Sequence, residues 1–106
     1  MPREPAPGET VPVTVTYALI ARIPPTGRAD FLAYEDNVLP IMERHFGVLE
    51  RRLRSTDGHT EIHVVSFPGP AAFAAYRADP VRAAQTHLLE RSGTTIELLT
   101  VTDVEA

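Results

Sequence analysis

Residues 48–67, VLERRLRSTDGHTEIHVVSF, decide the fold. Asp57-Gly58 is a dipeptide suited to the positive φ angles of a tight turn, and it separates two runs that read as strands, 48–56 and 59–67. In the second run Ile62 and Val64 share a face with Thr60 and Ser66, while Glu61, His63, Val65 and Phe67 share the other. A hairpin therefore lies mid-chain. Which face of its first arm turns inward stays open, because a one-residue bulge near Arg51 or Arg52 exchanges the two sets.

On either side of the hairpin lies a helix and then a strand. Upstream, residues 28–46 carry Phe31, Tyr34, Val38, Ile41, Met42, His45 and Phe46 at helical spacing, and Gly47 stands where a left-handed C-cap belongs. Pro40 removes the backbone bond to the Asp36 carbonyl, which predicts a kink or a break there. Before the helix, residues 13–23 (VTVTYALIARI) alternate Val13, Val15, Tyr17, Leu19, Ala21 and Ile23 with Thr14, Thr16, Ala18, Ile20 and Arg22. Both faces are largely apolar or neutral, the mark of a central strand. Downstream, Gly69-Pro70 opens a short helix with the stripe Ala72, Phe73 and Tyr76. Asp79 can cap, and Pro80 open, a second helix running to about Arg91; Gly93 ends it, and residues 94–104 (TTIELLTVTDV) give the last strand.

The chain has 106 residues, room for one domain, which we place at 13–106. Residues 2–12 hold four prolines and almost nothing apolar, so residues 1–12 read as a disordered tail. That segment lacks the apolar centre of a secretion signal and no run approaches bilayer length, so a soluble, cytoplasmic protein with no membrane partner is expected. With no Cys there is no thiolate nucleophile or thiolate-held metal, and with no Lys there is no Schiff base. A formal net charge of -4, with Arg51-Arg52-Leu53-Arg54 as the one basic cluster, speaks against nucleic acid. The four His residues show no metal-ligand spacing.

A β-α-β-β-α-β order specifies an α+β fold, a four-stranded antiparallel sheet with its helices on one face. The uncovered face lacks the polar alternation of a wetted sheet, so pairing of two copies face to face, a homodimer, is expected.

The runs FLAYEDNVLPIMERHFGVLERR (31–52) and EIHVVSFPGPAAFAAYRADPVRAA (61–84) resemble the dimeric α/β barrel superfamily, which is ferredoxin-like. Within it the chain is similar to the NIPSNAP, EthD-like and DUF1330 families and to the antibiotic-biosynthesis monooxygenases, over about residues 13–104. The resemblance implies a cofactor-free oxygenase or cyclase of polyketide type, a haem-degrading enzyme, a lactone isomerase, or one of the many members with no known role. In the haem-degrading relatives a helical His is the axial ligand, which singles out His87. Those relatives also use Asn and Trp around the porphyrin, whereas this chain has no Trp and its one Asn, Asn37, lies in the long helix. The expectation is therefore no cofactor.

Candidate site residues follow. His63, beside Glu61 on one strand face, is either a general base or half of a cross-strand polar pair with Arg52 or Arg54. Tyr17, Tyr34 and Tyr76 sit on three elements that converge on the core. They either line a space in which the resemblance implies that phenolic substrates are held, or are ordinary core aromatics. Arg22 and Arg52, if inward, can hold a substrate carboxylate or enolate; otherwise they pair with Glu50, Glu61 or Glu97. The expected catalytic set is His63, Tyr34 and His87, with Tyr17, Tyr76, Arg22 and Arg52 binding a small apolar oxygenated or aromatic metabolite. The rival reading is a non-catalytic ligand-binding or scaffolding homodimer, and a hollow under the helices distinguishes the two.

Overall fold

The computed structural model describes residues 14–105, so the expected tail lies outside the described residues. The elements run β1 (Val15–Arg22), α1 (Arg28–Arg44), β2 (Val48–Arg54), β3 (Thr60–Phe67), α2 (Pro70–Ala78), α3 (Pro80–Ala83), α4 (Thr86–Ser92) and β4 (Thr95–Val101). The strands form one antiparallel sheet in the order β2-β3-β1-β4. Thus β1 and β2 are parallel with β3 between them, and α1 makes that crossover. In the same way β3 and β4 flank β1, and α2 to α4 connect them. The α+β arrangement read from the segment order is the one observed.

Side-chain alternation sorts the sheet into two faces. Tyr17, Ala21, Glu61, His63, Val65 and Phe67 are buried beneath the helices. On the opposite face Ala18 lies across from Val64 and Leu99, and Ile20 from Ile62 and Glu97. Two clusters fill the helix side. Tyr17, Met42, Val65 and Phe67 gather Phe73 and Tyr76, with Tyr17 stacked on Phe73 at 4.0 Å; Ala21, Ile23 and Phe31 gather Leu19, Leu32 and Leu89.

The bulge left open by the sequence is present. Pairing passes from Leu49↔Val65 directly to Arg51↔Val64, so Glu50 is the extra residue. Its effect is an exchange of faces. Arg52 and Arg54 now stand opposite His63 and Glu61 on the covered side, and Leu53 stands opposite Ile62 on the other. Glu50 accepts a 2.6 Å hydrogen bond from the buried Ser66 hydroxyl, which fixes the bulge.

Of the kink or break expected at Pro40, the break does not occur: helix α1 runs through Pro40, which is exposed, so the Asp36 carbonyl that loses its partner is on the side open to water. Two expectations are corrected. The left-handed residue at the helix end is Phe46 (φ 63), not Gly47. The Phe46 and Gly47 amides donate to the carbonyls of Glu43 and Met42, each at 3.0 Å, completing a Schellman closure one residue earlier than expected. Gly47 is needed for a different reason, since a Cβ there would lie 2.5 Å from Met42 and 2.8 Å from the Phe67 ring. Finally, the second short helix is two pieces, α3 and α4, separated at Ala84-Gln85. Asp79 does cap α3, accepting from the Val81 amide at 2.8 Å, and Gly93 (φ 69) does end α4.

Candidate functional site

Between the covered sheet face and the helices lies a cavity of about 270 Å³. Apolar walls come from Leu19, Val65 and Leu98 of the sheet and from Val38, Met42 and Phe73 of the helices. Polar groups reach it from three sides: His63 from β3, Tyr34 and Glu35 from α1, and Tyr76, Arg77 and Arg82 from α2 and α3. An apolar hollow with a few convergent polar groups is the ordinary form of a small-molecule site.

One wall carries a chain of buried ionisable groups. Glu61, fully buried, accepts from Arg52 Nε at 2.7 Å through one oxygen and from Arg54 Nε at 2.9 Å through the other. Burial pushes the Glu61 carboxyl up, but the hydrogen bonds from Arg52, His63 and Arg54 outweigh it and hold the group down at about 2. An ionised carboxylate only accepts, so His63 Nε2, 2.8 Å from Glu61 Oε1, carries its proton and donates. In the neutral form of the ring, that tautomer leaves the lone pair on Nδ1. That atom stands 3.6 Å from Glu35 Oε2, longer than a hydrogen bond but within ion-pair distance, and both residues line the cavity. Burial raises the Glu35 carboxyl above its ordinary range, with His63 and Arg52 opposing. Burial likewise raises the Tyr34 and Tyr76 phenols, with Arg82 opposing in each case, so both remain O–H donors at neutral pH.

The structure brings together four of the seven sequence candidates. His63, Tyr34 and Tyr76 line the cavity, and Arg52 anchors the carboxylate behind His63. Tyr17 is buried in the aromatic cluster and does not line the cavity. Arg22 is corrected to the uncovered face, where strand alternation puts it beside Ala18 and Ile20; it is exposed and pairs with Glu97 at 3.5 Å. His87 is exposed on α4, its Nδ1 donating to the Ala84 carbonyl at 3.0 Å, and it does not line the cavity. An axial ligand needs a hollow beside it for the porphyrin, so the residues here do not fit haem.

Two residues escaped the sequence reading. Glu35 was legible, because Phe31, Glu35, Val38 and Met42 repeat at helical spacing and place a carboxylate in the buried stripe. Arg82 was not, since its inward position depends on how α3 turns away from α2.

No family model and no curated protein matches the chain. Solved structures do. SnoaB of Streptomyces nogalater, a cofactor-independent oxygenase, superposes with a TM-score of 0.73 at 19% identity, covering 88% of this chain and 95% of its own. A Caulobacter crescentus protein named as a candidate antibiotic biosynthesis monooxygenase gives 0.68 at 11% identity, covering 88% and 93%. A NIPSNAP family protein of Agrobacterium tumefaciens gives 0.59 at 16% identity, covering 86% and 91%. The chain has the ferredoxin-like α/β fold. Identities this low carry the ferredoxin-like architecture and nothing about activity, which has to be argued from the site.

Proposed function

We propose that this chain is a small cofactor-independent enzyme that binds an apolar oxygenated or aromatic metabolite in the cavity and begins its chemistry by proton abstraction at His63. The observation that carries the reading is an imidazole in the wall of a largely apolar hollow, held by an ionised, doubly arginine-anchored carboxylate, with no hydrogen bond on its other nitrogen among the described residues. In this role Glu61 fixes the tautomer and ring orientation and stabilises the imidazolium that forms. Tyr34 and Tyr76 donate to oxygens of the substrate anion, as neutral phenols in an apolar wall. Such an anion can close onto an internal carbonyl, be reprotonated elsewhere, or react with dioxygen.

The likeness to a cofactor-independent oxygenase favours the last route. There an activated methylene gives one proton to His63, and the carbanion passes one electron to dioxygen. Recombination and protonation give a hydroperoxide, and loss of water leaves a ketone. The methylene carbon thus exchanges both hydrogens for one oxygen atom of dioxygen, and the other oxygen atom leaves as water with those two hydrogens. Anthrone is a suitable probe, because its methylene is flanked by two aromatic rings. Oxygen uptake with anthrone is expected to accelerate in the presence of the protein, and His63→Gln to lower that rate by about 10²-fold or more. Uptake equal to the buffer blank, or a His63→Gln variant as fast as wild type, defeats the proposal.

We infer further that a second copy of the chain covers the open sheet face. Leu53, Ile62 and Leu99 are exposed there around Ala18, Ile20 and Val64, a surface too apolar to be left wet. Sedimentation at micromolar concentration should give twice the chain mass; a folded monomer there removes this part.

A further inference from the structure

At the cavity wall formed by α2 and α3 stands a cation that makes no ion pair among the described residues, although the Glu35 carboxylate lines the same cavity. Arg82 lines the cavity, and its Nε is a buried donor without a hydrogen-bond partner among the described residues. Its Nη1 reaches the Arg77 carbonyl, but at 3.4 Å, the long limit of such a bond. No carboxylate lies within ion-pair distance of it among the described residues. The guanidinium instead lies 5.0 Å over the Tyr76 ring, which holds its plane but leaves Nε unpaired. The other cavity cation, Arg77, sits over Phe73 at 5.7 Å in the same manner. Arg52 and Arg54 show the contrast, since both are spent on Glu61.

A buried guanidinium N–H left unpaired is costly, and such groups in native proteins have a reason to be there. We propose that Arg82 is the counter-charge for an anionic oxygen of the bound molecule, so that the ligand class of this cavity is an aromatic or apolar acid carrying a carboxylate, phenolate or enolate. The inference rests on the cavity being the ligand site, as argued above, but not on His63 being the base. Arg82, with the Tyr76 hydroxyl beside it, fixes the oxygen, and the ligand's body lies along Val38, Val65 and Leu98 toward His63. A fork donor seated on an aromatic face is pre-organised for a planar oxygen pair.

The probes are 2-naphthoate and its neutral counterpart 2-naphthamide, titrated calorimetrically into the full chain. Wild type is expected to bind the acid about tenfold more tightly than the amide, as a charge-assisted hydrogen bond supplies. Arg82→Met should bring the two compounds to equal affinity, and its melting temperature should stay at or above that of wild type, because a partnerless buried donor has been removed. Arg82→Lys should keep part of the preference. If wild type does not prefer the acid, or Arg82→Met retains the preference, Arg82 loses this role while the cavity remains a ligand site. If neither probe binds, the cavity reading and this inference fall together.

Discussion

Glu61 and Glu35 are carboxylates on opposite sides of one imidazole, and their surroundings push them in opposite directions. Glu61 in the folded state sits at about 2 against an ordinary value of 4.5. Its contribution to stability is therefore complete above pH 4.5 and is lost as pH falls toward 2. Glu35 is raised by burial, so the folded state binds its proton more tightly than the unfolded chain does. The group therefore weakens folding as pH rises above 4.5, and stability recovers as pH falls back toward 4.5. Chemical denaturation across pH should show both signs: Glu35→Gln removes the gain between neutrality and pH 4.5, and Glu61→Gln removes the loss below it. At pH 7 Glu61→Gln should cost about 2 kcal/mol, between an exposed pair and a fully buried one, because Arg52 and Arg54 keep partial access to water. A loss below about 0.5 kcal/mol would mean that the two arginines re-solvate freely. The pairing of His63 with Glu61 was legible from strand alternation alone. The inward turn of both arginines was not, because it depends on a bulge that no residue preference announces.

At the scale of elements, the two ends of the hairpin unit are set by packing more than by backbone preference. Gly47 looked like a C-cap glycine, and Phe46 takes the left-handed position in its place. The reason is space: Met42 and Phe67 meet over Gly47, and no side chain fits there. Gly47→Ala should destabilise by about 2 kcal/mol through overpacking, while Phe46→Gly, which relieves a left-handed residue that is 74% exposed, should stabilise by about 1 kcal/mol. Had Gly47 been the left-handed cap, Phe46→Gly would destabilise instead, a difference of sign that urea denaturation reads. Pro40 is a similar case. The helix tolerates it because the freed Asp36 carbonyl is exposed, so Pro40→Ala should gain about 1 kcal/mol, less than a buried helix proline would return, since the unfolded chain also gains freedom.

For the whole molecule, element order alone was enough to give the sheet topology, since few arrangements place a β-α-β unit on each side of a hairpin. The cavity was legible only in outline, because its lining draws on α2, α3 and α4, and the break between the last two at Ala84-Gln85 was not read from the sequence. The open sheet face is where assembly and site can be separated by experiment. Ile62 and His63 are neighbours in sequence with opposite outlooks: Ile62 is 36% exposed on the uncovered face, and His63 is 3% exposed under the helices. Ile62→Glu would put a charge at the centre of that face, next to Ile20 and Leu53, without touching the cavity wall. A monomer by sedimentation is expected, with naphthoate affinity within roughly threefold of wild type, because every residue named in the cavity comes from one copy. A variant that becomes monomeric and also loses the ligand would show that the second copy shapes the cavity through the sheet, and the site would then belong to the pair of chains.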